Sequence, residues 1–253
     1  MNVFLTGASS GIGAALARYY ATRGARLGLF ARRAEALALL AQSLGPASTA
    51  TYAGDVRDAG ALRDSAADFI ARFGAPDIVI AGAGISVGTL TDKVEDNETF
   101  RAVLDTNVLG MVHTFQPFLQ PMRAAGRGTL AGISSVAGFR GLAGAGAYCA
   151  SKAAAINYLE SLRVELHGSG VAVVTICPGY IATPMTEGNP YPMPFLISAD
   201  KAARLIGRAI DRKRRFCVLP WQMALLGRLF AALPRPLYDR LFAGRPHKPR
   251  ATR

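Results

Sequence analysis

Tyr148 and Lys152, four positions apart, are the residues whose types and spacing point most clearly to chemistry. They open a predicted helix (residues 148–167), and side chains at i and i+4 share one helix face. The pKa of a free tyrosine is near ~10, and a neighbouring ammonium favours the phenolate and lowers that pKa. Such a pair can donate a proton to a carbonyl oxygen or remove one from an alcohol.

A serine hydroxyl is expected beside this pair. Ser135 lies thirteen residues before Tyr148, at the end of a predicted strand, where its hydroxyl could orient the same oxygen. The adjacent Ser134 is the alternative. A Tyr-x-x-x-Lys pair is common by chance, but here Ile-Ser-Ser-Val-Ala-Gly (133–138) precedes it and Pro-Gly (178–179) follows it. The whole set is therefore far more specific than the pair.

A glycine-rich turn, residues 6–13, lies between the first predicted strand and the first predicted helix. Gly7 permits a tight turn, Gly11 lets the backbone approach a pyrophosphate, and Gly13 lets the helix pack closely. The helix N-terminus adds amide donors and a positive dipole. An ordinary strand–helix turn is the alternative, but this position favours a dinucleotide, bound by Gly7, Ser9, Ser10, Gly11, Ile12 and Gly13.

The second predicted strand ends in Phe-Ala-Arg-Arg (30–33), without the acidic residue that would accept from the ribose hydroxyl of NAD. Guanidinium groups match a 2′-phosphate. A solvated helix start would also explain Arg32 and Arg33, but two cations there oppose the helix dipole. The pattern therefore favours NADP(H) over NAD(H).

Asp55 follows the third predicted strand, in Gly54-Asp55-Val56. Its carboxylate is placed to accept from an adenine amino group. Capping of the next helix is nearly as good an explanation of this spacing.

Strands and helices alternate along the chain, and the strands are apolar throughout, as expected when helices cover both faces of a parallel sheet. This predicts one Rossmann-type, doubly wound α/β domain over residues 1–219. The predicted strands are 2–5, 26–31, 48–53, 77–81, 128–134 and 171–177; the predicted helices are 12–23, 34–44, 59–73, 95–122, with a kink at Pro117, and 148–167.

Taken together, these motifs resemble the classical short-chain dehydrogenase/reductases. The resemblance covers residues 2 to about 185, and more loosely extends through Leu219. The matching segments are residues 6–13, Asp55-Val56, the Asn107 region, Ser135, Tyr148 with Lys152, and Pro-Gly-Tyr-Ile-Ala-Thr at 178–183.

The resemblance implies a role for each matching residue. Tyr148 would be the general acid and base, and Lys152 would bind the nicotinamide ribose and lower the tyrosine pKa. Ser135 would hold the substrate oxygen, and Asn107 would hold the water of a proton relay. The remaining cofactor contacts would come from Val56, Gly84, Pro178, Gly179, Ile181 and Thr183, with Ile181 and Thr183 at the carboxamide.

The chain departs from the family pattern after the fourth strand. Ala-Gly-Ala-Gly (81–84) replaces the usual Asn-Asn-Ala-Gly, so Gly84 is kept while two side-chain amides are lost. Fewer hydrogen bonds would then tie this strand to its neighbours.

Charge is concentrated at the C-terminus. The 253 residues carry a net charge of +12, but residues 1–199 hold 15 Lys/Arg and 14 Asp/Glu, whereas residues 200–253 hold 14 and 3. A hydrophobic fraction of 51% excludes a disordered chain. Three cysteines without metal-type spacing predict a cytoplasmic protein with neither a disulfide framework nor a metal site.

The predicted substrate lid, residues 184–197, is mostly apolar and has four prolines. Its methionines and aromatic residues suggest a lipophilic substrate, although they could instead pack on the body. Glu187 is its one charged residue, so the lid does not indicate a highly anionic substrate.

Residues 220–253 form a predicted basic, amphipathic extension, too short to span a bilayer as one helix. It could pack on the body or on a second subunit of a homo-oligomer, or lie on an anionic membrane. Zinc spacing and a helix-turn-helix signature are missing, so specific nucleic-acid binding is not expected. Its apolar residues are Trp221, Leu225, Leu226, Leu229, Phe230, Leu233, Leu237, Tyr238, Leu241 and Phe242; its cations are Arg228, Arg235, Arg240, Arg245, Lys248, Arg250 and Arg253.

The favoured function is NADP(H)-dependent hydride transfer to or from a carbonyl or secondary alcohol of a lipophilic small molecule. Two alternatives remain. One is reduction of a 3-oxoacyl thioester on an acidic carrier protein, which a basic surface would attract. The other is a non-catalytic dinucleotide sensor. The presence of all four candidate catalytic residues argues against it.

Overall fold

The computed structural model describes residues 1–45, 48–244 and 246–250. Arg245 and Arg253, two cations of the predicted extension, lie outside the described residues. The described residues form nine strands: β1 (Asn2–Thr6), β2 (Arg26–Ala31), β3 (Thr49–Ala53), β4 (Ile78–Ala81), β5 (Gly128–Ile133), β6 (Val171–Pro178), β7 (Ile181–Ala182), β8 (Ile197–Ser198) and β9 (Phe216–Leu219).

Nine α-helices separate or follow these strands in the described part of the chain: α1 (Gly11–Ala21), α2 (Ala34–Leu44), α3 (Ala59–Phe73), α4 (Asn97–Leu104), α5 (Gly110–Ala124), α6 (Gly146–Glu165), α7 (Ala199–Asp211), α8 (Trp221–Ala232) and α9 (Arg235–Phe242).

Seven of the strands form one parallel sheet in the order β3-β2-β1-β4-β5-β6-β9, while β7 and β8 pair separately. The chain leaves β1 towards β2 and β3, then returns to place β4 on the other side of β1. This reversal creates a crevice at the carboxyl ends of β1 and β4, where ligands bind in sheets of this kind. The Rossmann-type fold predicted from the sequence is confirmed.

Two apolar cores cover the two faces of the sheet, because successive strand residues point to opposite faces. Leu5 faces the core that α1, α2 and α7 close. Phe4 faces the other core, where its ring centroid lies 5.5 Å from that of Phe69 and 4.7 Å from that of Phe118. Burial on both faces explains the continuous apolar runs seen in the sequence.

The predicted helix 95–122 is divided. A 3-10 turn (Val94–Asp96) leads into α4, and a π-helical segment (Asp105–Leu109) separates α4 from α5. The predicted helix is therefore interrupted at the π-helical segment, which contains Asn107. At Pro117, where a kink was predicted, α5 continues. Phe115 and Phe118 are fully buried on either side of that proline, so packing supports the helix there.

The extension after Leu219 packs on the body along one face. The Tyr238 hydroxyl donates to the Gly141 carbonyl at 2.7 Å, and Met223 is buried against Gly179. The other face of α8 leaves Leu225 and Leu229 each 58% exposed. Within the described residues, no helix has both the length and the apolar character needed to cross a membrane.

Candidate active site

Four side chains predicted to be catalytic come from three segments near the carboxyl ends of the strands. Tyr148 and Lys152 lie in the first turns of α6, and Ser135 precedes a 3-10 turn (Val136–Gly138) directly after β5. Asn107 lies in the π-helical segment. Parallel strands end at one edge of the sheet, so residues distant in sequence meet there.

The structure separates the two adjacent serines. The Ser135 hydroxyl lies close enough to Tyr148 to lower the pKa of its phenol, and it accepts from the Ala137 N–H at 3.1 Å. The Ser134 hydroxyl instead donates to the backbone carbonyl of Lys152 at 2.7 Å, which ties β5 to α6. Ser135 therefore reaches the phenol, and Ser134 supports the helix that carries it.

The expected fall in the tyrosine pKa is not found. Burial raises the pKa of Tyr148 to about 12, and the nearby Ser135 hydroxyl only partly opposes this. The Lys152 ammonium lies 5.7 Å from the centroid of the tyrosine ring and donates to the Ile133 carbonyl at 2.9 Å. The prediction was wrong because it weighed the neighbouring charge and omitted desolvation, which disfavours the phenolate.

Lys152 is affected by burial in the opposite sense. Removal from water lowers the pKa of its ammonium to about 8. The side chain is nevertheless charged at neutral pH, so it can stabilise negative charge near Tyr148.

Asn107 is held by the protein on all sides of its amide. Its Oδ1 accepts from the Ile85 N–H at 2.8 Å, and its Nδ2 donates to the Ile85 carbonyl and to Ser151 Oγ, both at 2.9 Å. A side chain at Gly84 would lie 3.2 Å from Asn107 Oδ1 and 3.6 Å from Lys152 Nζ. Glycine thus keeps the space between them open, while the water-holding role of Asn107 stays a prediction.

The glycine turn meets steric needs that larger residues would violate. Gly7 has φ +73°, and a side chain at Gly13 would lie 2.1 Å from the Gly7 carbonyl oxygen. One at Gly11 would lie 3.1 Å from Thr183 Cγ2, so the turn after β1 meets the segment after β6. Ser10 is the N-cap of α1, which brings a helix N-terminus to this turn. The glycine turn and the N-terminus of α1 together form a cradle, called the glycine cradle below, that fits a pyrophosphate.

Arg33 lies against this turn. Its Nη2 donates to Ser9 Oγ at 3.1 Å and to the Ser9 carbonyl at 3.4 Å. Arg32 is exposed beside it. The guanidinium of Arg33 and the glycine cradle therefore lie at one end of the crevice, where a phosphate-bearing nucleotide fits.

Asp55 does not cap the following helix. The cap of α3 is Asp58, whose Oδ1 accepts from the N–H groups of Gly60 and Ala61 at 2.8 and 3.1 Å. Asp55 accepts two bonds from the guanidinium of Arg57, which holds the pKa of its carboxyl below the usual value. One of the two explanations for Asp55 is thus removed, and contact with adenine stays a prediction.

The hydroxyl of Thr6 partly replaces the side-chain amides that are missing after β4. Thr6 Oγ1 accepts from the Gly82 N–H at 3.3 Å and donates to the Ile80 carbonyl at 3.5 Å. The segment therefore keeps long hydrogen bonds to β1.

The segment after β6 contacts both Ser135 and the glycine turn. The Pro178 carbonyl accepts from Ser135 Oγ at 3.4 Å, and Ile181 is buried in β7. Farther along, the predicted lid exposes Phe195 and Leu196, whose side chains are 49% and 45% accessible. The lid therefore offers apolar surface that the body does not bury.

One cation near Tyr148 was missed at the level of the sequence. In the sequence, Lys248 is only one of the cations of the basic extension. In the structure, its Nζ lies 5.9 Å from the centroid of the Tyr148 ring. One hundred positions separate the two residues, so a local motif gives no signal for this contact.

Comparison with known proteins is consistent with this arrangement. Residues 1–191 match the family model described as short chain dehydrogenase. A Myxococcus xanthus protein named an uncharacterized oxidoreductase is 42% identical over 93% of each chain. The 11-beta-hydroxysteroid dehydrogenase 1A of Arabidopsis thaliana is 34% identical over 86% of this chain and 68% of its own length.

A solved structure has the same fold over most of the chain. It is an alcohol dehydrogenase from the archaeon Thermococcus sibiricus complexed with 5-hydroxy-NADP. Its TM-score is 0.77 at 26% identity, covering 86% of this chain and 95% of the other. The chain therefore belongs to the short-chain dehydrogenase family, whose members are oxidoreductases that bind NAD(P) and act on alcohols and carbonyls.

Proposed function

We propose that this protein transfers hydride between NADP(H) and the carbonyl or secondary alcohol of a lipophilic small molecule, with Tyr148 as general acid and base. The observation that carries the proposal is the convergence of Ser135, Tyr148 and Lys152 in the crevice that also contains the glycine cradle. A bound NADPH would supply hydride to the carbonyl carbon.

In the direction of reduction, Tyr148 provides the proton. Burial keeps its phenol protonated at neutral pH, since the pKa is raised to about 12. The Ser135 hydroxyl, which lies beside the phenol, can donate to the same carbonyl oxygen and hold it in line. The proton passes from Tyr148 Oη to that oxygen as the carbon is reduced.

In the direction of oxidation, Tyr148 must first lose its proton. The Lys152 ammonium, 5.7 Å from the ring centroid, favours the phenolate electrostatically. Lys152 would also hold the nicotinamide ribose, as the family resemblance implies. Asn107 and Ser151 lie behind it and fix the π-helical segment against α6.

The contact of Arg33 with the glycine turn supports NADP(H) as the cofactor. Guanidinium groups at this place would bind the 2′-phosphate that distinguishes NADP from NAD. Arg33 touches Ser9, and Arg32 is next to it on the surface. The archaeal alcohol dehydrogenase with the same fold was solved with an NADP derivative, which agrees with this choice.

The apolar lid supports a lipophilic substrate, and the hydroxysteroid dehydrogenase among the relatives agrees with it. A 3-oxoacyl thioester on an acidic carrier protein is the second candidate. Exposed cations on α7 and in the turn after it favour that candidate by offering a surface to an acidic protein. These cations are Arg204, Arg208, Arg212, Lys213, Arg214 and Arg215.

Tyr148→Phe tests the proposal. The ring and its packing remain and only the transferable proton is removed, so we expect kcat to fall by about 10²–10⁴. The dissociation constant of NADPH should stay within about twofold. Tyr158→Phe is the control, because Tyr158 lies farther along the same helix and should leave kcat unchanged. Wild-type turnover by Tyr148→Phe would refute the mechanism.

A further inference from the structure

Residues 246–250, called the strap here, fold back across the carboxyl ends of the sheet and contact three loops. After β4, the Gly88 N–H donates to the Pro249 carbonyl at 2.8 Å. After β5, a side chain at Gly144 would lie 2.6 Å from the Cβ of His247. After β6, Asn189 Oδ1 accepts from Lys248 Nζ at 3.3 Å. The strap thus closes one side of the cleft that contains Tyr148.

The end of the strap is anchored by charge. Arg250 donates to both carboxylate oxygens of Asp96, at 2.8 and 2.9 Å, and to Glu95 Oε1 at 2.9 Å. Asp96 also accepts from the Leu90 N–H at 2.8 Å. Bidentate arginine–carboxylate contacts are strong and directional. Backbone bonding at Gly88 adds to this anchor, so the strap holds a defined path beside the cleft.

Lys248 extends from this anchored strap to the catalytic tyrosine. Its ammonium lies 5.9 Å from the centroid of the Tyr148 ring and contacts a neutral amide oxygen of Asn189. Burial lowers the pKa of Lys248. The ion pairs found within the described residues do not include Lys248. A partly buried cation without a counter-ion favours an anionic ligand.

We propose that Lys248 is a specificity-determining residue that binds a carboxylate of the substrate while the substrate carbonyl meets Tyr148. The substrate class is then an amphipathic oxo acid, with an apolar body against the lid and its carboxylate at the strap. The strap supplies the cation that the lid lacks. This inference rests on the proposed carbonyl chemistry and adds a charge requirement to it.

The test compares oxo acids with their methyl esters. Full-length protein and NADPH are assayed with pairs from 4-oxopentanoate and methyl 4-oxopentanoate up to ten-carbon chains with the oxo group at several positions. We expect kcat/KM for at least one acid to exceed that of its ester by about tenfold to a hundredfold, the usual effect of a hydrogen bond to a charged group.

Three variants assign that preference to Lys248. Lys248→Met keeps the unbranched stem and should bring the acid-to-ester ratio close to one. Lys248→Arg should retain most of the preference. Lys213→Met removes the same charge from an exposed turn before β9, at the amino ends of the strands, whereas the strap lies at their carboxyl ends. It should leave the ratio unchanged.

The possible failures are distinct. A wild-type ratio near one for every pair, or a ratio that Lys248→Met leaves within twofold, overturns the role of Lys248 while the carbonyl chemistry stands. An equal loss in Lys213→Met assigns the preference to net charge and also overturns it. If wild-type protein reduces neither acids nor esters nor any neutral carbonyl, the proposed function falls, and this inference with it.

Discussion

The two ends of the catalytic cleft are built in different ways. At the nucleotide end, the cradle consists mainly of backbone, and its glycines lie within seven consecutive positions, Gly7 to Gly13. At the substrate end, the surface consists of side chains from distant segments, among them Tyr148, Asn189 and Lys248. We propose that the first binds a part of the cofactor that is the same whatever the substrate. The second is a long-range assembly in which single residues can change specificity.

This contrast predicts that substitutions at the two ends change different measured quantities. At the nucleotide end they should alter cofactor affinity and leave the chemical step intact at saturating cofactor. At the substrate end they should alter kcat or substrate preference and leave cofactor affinity intact.

Ser135→Ala, at the substrate end, should have a larger effect than substitutions at the nucleotide end, and that effect should be on kcat. Loss of a hydroxyl that holds the carbonyl oxygen should lower kcat by about 10²–10³, with NADPH affinity unchanged in a fluorescence titration. Ser134→Ala is the matched control, because its hydroxyl bonds the Lys152 carbonyl and not the phenol. We expect it to lower stability by about 1 kcal/mol with little change in kcat. Equal losses of kcat in both variants would contradict the separation of the two serines.

Combined Arg32→Ala and Arg33→Ala should act on the nucleotide end. Each charge-assisted bond contributes about 1.5–3 kcal/mol, so the ratio of NADPH to NADH affinity should fall by about tenfold or more. Arg18→Ala removes an exposed cation from α1 and serves as the control. Equal weakening of both cofactors would mean that the arginines contact another part of the nucleotide.

Substitutions on the exposed face of α8 should have the smallest effect on turnover. Leu225→Ser with Leu229→Ser should keep kcat within about twofold, because both side chains are more than half exposed. Light scattering would show a smaller assembly if this face meets a second copy. Salt-sensitive sedimentation with phosphatidylserine vesicles would be lost if the face meets an anionic membrane.

No change in mass or in vesicle binding would contradict both roles for the exposed face of α8. Point substitutions are better than truncation after Leu219. Truncation would also remove Met223, Tyr238 and the strap, all of which pack on the body.

Sequence reasoning succeeded where the physical cause is local. The helix over residues 59–73 and the strand over 26–31 are found with the same bounds, since apolar periodicity and turn residues lie within each segment. It failed where the cause is long-range. The raised pKa of Tyr148 depends on burial by the whole fold, and the position of Lys248 depends on a segment one hundred residues away.

The adjacent serines show where that limit lies. Their sequence context marks both serines as candidates. The choice between them depends on which hydroxyl bonds the backbone carbonyl of Lys152 and which lies beside the phenol of Tyr148. The direction of each hydroxyl after the end of β5 is a property of the folded chain.

The most direct test of the central claim is the initial rate of NADPH oxidation by the wild-type protein across a panel of carbonyl compounds. The panel includes steroid ketones, aliphatic ketones, aldehydes, oxo acids and 3-oxoacyl thioesters, each repeated with NADH. We predict substrate-dependent oxidation of NADPH on apolar carbonyls, with a kcat/KM at least tenfold lower when NADH replaces it. Tight binding of NADPH without turnover of any carbonyl would contradict the account and favour a dinucleotide sensor.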